Sequence, residues 1–114
     1  MPTTQDPATA ASKPLPGILD EASAAPRTRP DLQRRTELDI RLRTELRRLI
    51  PLVQAQADRI NHGTRAWYSR DKALYDASEE LKRGLSPSPL AGCLRIGALA
   101  RSVRTLDEFA GGES

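Results

Sequence analysis

The stretch Leu38-Asp39-Ile40-Arg41-Leu42-Arg43-Thr44-Glu45-Leu46-Arg47-Arg48-Leu49-Ile50-Pro51-Leu52-Val53 decides the fold class. Leu38, Leu42, Leu46, Leu49 and Val53, continued by Ala57 and Ile60, follow one another at steps of three or four, which places them on one side of a helix. Arg34, Glu37, Arg41, Glu45 and Arg48 form a second row of alternating sign on the solvent side. Within it and beside it, Glu37 to Arg41 and Asp39 to Arg43 have the acid-first, four-residue spacing that supports a helix. The periodicity predicts one long helix over about residues 30–62. Pro51 lacks an amide hydrogen and crowds the carbonyl one turn back, yet the stripe keeps its phase on both sides of it, so a kink is expected rather than a break.

Outward from this stretch, Thr28-Arg29-Pro30-Asp31 supplies a cap, a first-turn proline and an acid for the start of the helix, and His62-Gly63 supplies its end. A second helix is expected over about 64–83, with Trp67, Leu74, Ala77 and Leu81 on one face and Lys82-Arg83-Gly84 at its C-terminus. Two Ser-Pro steps form the next turn. Ser88-Pro89 then opens a third helix over about 89–109, which buries Ile96, Leu99, Val103 and Leu106 and ends at Gly111-Gly112. Gly92 and Gly97 weaken its propensity or allow a close helix contact.

Residues 1–29 are rich in Pro, Ala, Thr and Ser and carry no periodic apolar face, a composition that predicts a disordered tail. Residues 111–114 are expected to be disordered as well. The fold class is therefore all-α: an antiparallel, up-down-up three-helix bundle with a long, proline-kinked first helix. At about 1.5 Å per residue that helix is roughly 50 Å long against about 30 Å for each neighbour. Its N-terminal part, with Leu32, Leu38, Ile40 and Leu42, is then expected to project and to be covered by a second copy, another protein or the tail through Leu15, Ile18 and Leu19. Self-association is the favoured cover, because an apolar stripe flanked by charges suits helix pairing in the manner of a coiled coil.

The chain of 114 residues carries a net charge of +3. Basic and acidic residues number three and three in residues 1–30, seven and five in 31–63, and eight and seven in 64–114, so no segment is strongly basic. A solvated mixed-charge surface is favoured over a phosphate-binding face. The early residues do not have the form of a secretion signal and no segment has the apolar length of a membrane span, which makes a cytoplasmic location without membrane contact the expectation.

Residues suited to chemistry are few. The sole cysteine, Cys93, reads as a core residue, and the sole histidine, His62, as a group meeting helix carbonyls rather than a metal ligand. No glycine-rich phosphate loop, metal motif or Ser, His and Asp set occurs, and Glu79-Glu80 and Asp107-Glu108 are adjacent acids that diverge on a helix. Glu79 to Arg83 and Arg104 to Glu108 are the ion pairs expected of them. No catalytic residue, cofactor or metal is assigned, and the expected function is non-enzymatic. Tyr68 and Tyr75 flank the Trp67 and Leu74 row and join Leu32, Leu38, Ile40 and Leu42 as the candidate partner surface.

The alternative is a small DNA-associated transcriptional regulator in which Arg95, Arg101 and Arg104 of the third helix contact phosphates. Against it stand a proline turn before that helix and a poor supply of base-reading side chains along it. A small apolar ligand held between the helices near Trp67 is a third reading.

Leu46-Arg47-Arg48-Leu49-Ile50-Pro51-Leu52-Val53, followed by Ala98-Leu99-Ala100-Arg101-Ser102-Val103-Arg104-Thr105-Leu106, resembles a group of small, uncharacterised helical proteins of Streptomyces-type actinobacteria labelled as natural-product biosynthesis proteins. The resemblance spans about residues 36–110 and implies an association with specialised metabolism, without a catalytic residue to carry over. The combined expectation is a helical interaction or accessory protein, a homodimer or the partner of another protein, acting through an apolar helix surface.

Overall fold

A computed structural model describes residues 14–112 of the chain. It contains four helices where the sequence predicts three: α1 (Leu15–Thr28), α2 (Leu32–Asp58), α3 (Arg65–Lys82) and α4 (Pro89–Gly112). There is no strand among the described residues. The three-helix count fails because residues 15–28, assigned to a disordered tail, form a helix; residues 111–112, also expected to be disordered, belong to α4, and residues 1–13 and 113–114 lie outside the described residues.

The signals of α1 are quiet ones. Pro14 and Pro16 stand at its start, where an amide hydrogen would have no partner, and Ile18, Leu19, Ala22 and Ala25 are its buried face. That face is half alanine, so it allows a close approach and contributes little to an apolar count. Pro26 lies in the last turn, beyond which Arg29 adopts the left-handed conformation (φ 52°) and donates its amide to the Ala25 carbonyl at 2.8 Å. The loop from Arg29 to Asp31 then reverses the chain.

Helix α2 begins later than predicted. Asp31, rather than Thr28, is its cap, accepting the Arg34 amide at 2.9 Å, while the Thr28 hydroxyl donates to the Ala24 carbonyl inside α1. The helix continues uninterrupted through Pro51 and ends at Asp58 instead of His62. Gly63 (φ 91°) provides the left-handed residue of the following loop, Thr64 caps α3 by accepting the Trp67 amide at 3.2 Å, and α4 runs three residues past its predicted end at Phe109, to Gly112.

Cross-helix contacts fix the directions. Arg70 of α3 meets Gln56 of α2, and Arg43 of α2 meets the carbonyls of Leu81 and Arg83, so α2 and α3 are antiparallel. Arg95 approaches Glu80, and Arg70 lies over the Phe109 ring, so α3 and α4 are antiparallel too. Gly97 faces Pro26 and Ala22, while Arg104 reaches Asp20 and Ser23, which makes α1 antiparallel to α4. The topology is up-down-up-down. α4 is the hub that packs on α2, α1 and α3.

One apolar cluster holds the bundle together. Ile18, Leu38, Leu42, Leu46, Leu49, Val53, Ile96, Leu99, Val103 and Leu106 have almost no exposed surface. Leu38 and Leu42 are thus core residues, which overturns the projecting first helix and removes both from the candidate partner surface. The expected contrast of one long helix with two short neighbours gives way to two longer helices, α2 and α4 with 27 and 24 residues, and two shorter ones, α1 and α3 with 14 and 18. At about 25 cal/mol per Å² of apolar area removed from water, each fully buried Leu or Ile contributes roughly 2 kcal/mol before entropy is counted.

Candidate functional site

The two flanks of α4 differ in what they leave open. On one side Gly97, with Cys93 and Ala100 on neighbouring turns of the same face, lets α1 lie close: a Cβ at Gly97 would stand 3.8 Å from Pro26 Cγ and 4.0 Å from the Ala22 carbonyl oxygen. Cys93 is fully buried there, as expected of a core cysteine. Ion pairs run along the margin, and toward the start of α1 a hollow of about 250 Å³ remains between Leu15, Leu19 and Asp20 and Arg104, Asp107 and Glu108. Arg34 of α2 forks onto Glu21 of α1 with two hydrogen bonds of 2.6 Å, and Arg104 of α4 stands 3.6 Å from Asp20. The hydrogen bonds from Arg34 to Glu21 and to Glu37 raise the guanidinium pKa above its ordinary value.

On the other side α3 and α4 part to form a groove of about 410 Å³. Its floor is small: Ala73 from α3, and Ala98 and Ser102 from α4. The α3 wall is Tyr75, Asp76, Glu79, Glu80 and Arg83; the α4 wall is Arg101 and Thr105. Asp76 is bridged by Lys72 at 2.8 Å and Glu79 by Lys82 at 2.9 Å, the latter pairing holding the lysine pKa above its usual value. Glu80 stands 3.7 Å from Arg95 and 3.8 Å from Arg83. These pairings replace the expected Glu79–Arg83 pair, just as Arg104 turns to α1 instead of Glu108.

One and two turns before Ala98, Leu94 and Leu90 lie on the outer face of α4, 53% and 48% exposed. Tyr75 is 64% exposed on the groove wall. The remaining residues expected at a partner surface are dispersed. Leu32 and Ile40 are exposed on α2, and Tyr68 is exposed at the far end of α3, where it meets Trp67 edge-on at 5.1 Å. Trp67 is half-buried and stacks on His62 at 4.7 Å, so the histidine belongs to a loop aromatic pair and not to a helix C-terminus.

Of the arginines considered for phosphate contact, Arg95 is half-buried beside Glu80 and Arg104 is directed to Asp20 and Ser23. Arg101 is exposed, on the groove wall across from acids. The structure does not bring the three into one basic face.

Three polar side chains find carbonyl partners that sequence reasoning does not assign to them. Arg43 donates from Nη1 to the Leu81 carbonyl at 3.1 Å and from Nη2 to that of Arg83, while Asp39 holds its Nε at 2.9 Å. A side chain of α2 thereby satisfies the end of α3. Gln56, buried, donates to the Phe109 carbonyl at 2.9 Å and accepts from Arg70 Nε at 3.0 Å. Arg35, also buried, donates to the Pro30 carbonyl at 2.8 Å and crosses the first turns of α4 beside Gly92.

Among the described residues no group of three His, Cys, Asp or Glu side chains is placed to hold a metal ion, and no helix is long and apolar enough to cross a membrane. The model of the Family of unknown function (DUF6415) matches residues 17–110, and the chain belongs to that family. The match takes in most of α1, which the resemblance over residues 36–110 leaves out. Neither a curated protein nor a solved structure matches the chain.

Proposed function

We propose that this member of a family of unknown function is a non-enzymatic helical interaction module whose working surface is the outer face of α4 together with the α3–α4 groove. The observation that carries this reading is that Leu90, Leu94 and Tyr75 stay exposed on and beside a groove floored by alanine and serine, the larger of the two hollows along α4, while at Gly97 the opposite flank is packed against α1. Exposed large apolar groups around a concave, small-residue floor are the composition of an interface centre, and the ringing charges Asp76, Glu79, Arg83 and Arg101 are the composition of its rim. The resemblance to natural-product biosynthesis proteins supplies the proposed setting, an accessory role in specialised metabolism.

The surface, not the core, is what a test must change. Capture from native extract with the wild-type chain, with Leu94→Glu and with Ile40→Glu separates the two exposed regions. Loss of the retained chains with Leu94→Glu and their retention with Ile40→Glu is the expected result. Equal retention by all three removes α4 from the function. Duplex DNA at low salt is the control for the Arg95, Arg101 and Arg104 alternative, and no shift is expected, because two of those arginines already face carboxylates.

A further inference from the structure

Among the described residues Arg35 is the one buried charged side chain, 5% exposed, and no carboxylate there pairs with it. An enclosed guanidinium without an acid is costly, because little in the interior replaces the hydration it has lost. Its position raises the cost. Helices α2 and α4 are each antiparallel to α3 and therefore parallel to one another, so their N-termini share one pole of the bundle. Arg35 leaves the first turns of α2, and its Nε stands 3.2 Å from the Cβ position of Gly92 in the first turn of α4. One positive charge thus lies at the positive ends of two helix dipoles.

The acids toward this pole are engaged elsewhere. Asp31 accepts the Arg34 amide, Glu21 holds the Arg34 guanidinium, Asp39 holds Arg43, and Glu80 stands between Arg83 and Arg95. The carbonyl ends of α1 and α3 have cations of their own, Arg29 Nε on the Pro26 carbonyl at 3.2 Å and Arg43 Nη1 on that of Leu81 at 3.1 Å. Arg35 itself donates from Nη1 alone, to the Pro30 carbonyl at 2.8 Å. Its Nε is enclosed without an acceptor; Nη2 also has none but is not enclosed. Nε and Nη2 form the edge of a guanidinium that grips an oxyanion through two parallel hydrogen bonds, and here that edge reaches the surface at Nη2. Beside it, Asp31 caps α2 and Thr64 caps α3, whereas no described side chain accepts the Leu90 or Ala91 amide at the start of α4.

We infer that this pole of the bundle is an oxyanion site, in which a phosphate group takes the Nε and Nη2 edge of Arg35 together with the uncapped amides of Leu90 and Ala91. A tetrahedral group has oxygens for the fork and for the helix terminus at once, which a carboxylate does not. The Ser86 carbonyl oxygen stands 3.0 Å from the same Gly92 Cβ position, so full contact with Nε draws the loop before α4 back. The chemistry is common to free inorganic phosphate and to a phosphomonoester. The site shares no residue with the lining of the α3–α4 groove and stands whether or not that groove binds a partner.

Heteronuclear NMR and thermal unfolding of the full chain test the site, with inorganic phosphate or glycerol phosphate titrated against chloride at constant ionic strength so that screening does not change. Expected are shifts of the Arg35 Nε resonance, of the Leu90 and Ala91 amides and of the loop amides before them. At about ten times the dissociation constant the folding equilibrium should gain about tenfold. Tighter binding of the ester assigns the site to a ligand-borne phosphate, and tighter binding of the inorganic ion to free phosphate. Arg35→Met is expected to be at least as stable as the wild type in chloride and to lose the gain from phosphate, whereas Met at the exposed Arg47 keeps it. Arg35→Lys, which retains the charge without the fork, should keep only part of the gain. Indifference of the Arg35 Nε and the α4 amides to both probes at tens of millimolar overturns the proposal, as does an Arg35→Met variant with the full phosphate gain. The wild-type resonances decide even if Arg35→Met does not fold.

Discussion

The α1 and α3 flanks of α4 make opposite uses of small residues. Against α1, Gly97 and Ala22 bring two helices together until a Cβ at Gly97 would find only ordinary van der Waals distances, and Ala22 has no exposed surface. Against α3, Ala73, Ala98 and Ser102 are just as small, but longer polar side chains stand on the walls above them and a groove results. A small residue therefore states only that the local backbone is approachable. Whether the approach is filled from within the chain depends on what surrounds it.

This contrast can be broken most sharply by paired truncations. Ile18→Ala removes a nearly fully buried side chain from the sealed flank, and a loss of about 2–5 kcal/mol is expected. Tyr75→Ala on the open flank is expected to change stability by no more than about 0.5 kcal/mol. Urea denaturation of both variants measures the difference. Comparable losses would mean that the α3 wall is as structural as α1.

The two glycines of α4 refine the comparison. A Cβ at Gly92 would stand 3.0 Å from the Ser86 carbonyl oxygen and 3.2 Å from Arg35 Nε, so Gly92→Ala forces backbone or a buried arginine to move. Its cost of overpacking exceeds the gain in helix propensity, for a net loss of about 1 kcal/mol or more. Gly97→Ala meets nothing closer than 3.8 Å and is expected to raise stability by up to about 1 kcal/mol. Thermal unfolding should therefore shift in opposite directions for two identical substitutions five residues apart.

The smallest expected effect is at the edge of the sealed flank. Arg34 and Glu21 are each about one-third exposed or less, and a double-mutant cycle with alanine should give a coupling of about 0.5–1 kcal/mol that falls as salt is raised. A coupling of zero would leave α1 held by its apolar face alone.

Much of the core was legible in the sequence. Leu46, Leu49, Val53 and Ala57 in α2, Leu74 and Ala77 in α3, and Ile96, Leu99, Val103 and Leu106 in α4 are placed on inward faces by their spacing, and all are buried. Helix α1 was not legible, for a physical reason: its buried set of Ile18, Leu19, Ala22 and Ala25 contains only two large apolar groups, and prolines at 14, 16 and 26 read as disorder although two of them sit where a helix needs no amide donor. With α1 set aside, Leu38 and Leu42 had no internal cover and were read as a partner surface. The groove was equally hidden, since it arises from the antiparallel register of Tyr75, Asp76 and Glu79 against Ala98, Arg101 and Ser102, residues far apart in the sequence for which no short-range pattern exists. Of its lining the sequence singles out Tyr75, as a partner-surface aromatic, and Arg101, as a phosphate contact of the alternative reading, without bringing the two together.

Native-state hydrogen exchange on the full chain tests most directly whether α4 is sealed by α1. The amides of residues 18–25 should exchange at rates comparable to those of residues 96–106 in α4, as members of one cooperative unit. Exchange of residues 18–25 at the rate of an unstructured peptide, while α2, α3 and α4 stay protected, would contradict a four-helix core and return the bundle to three helices with an uncovered face.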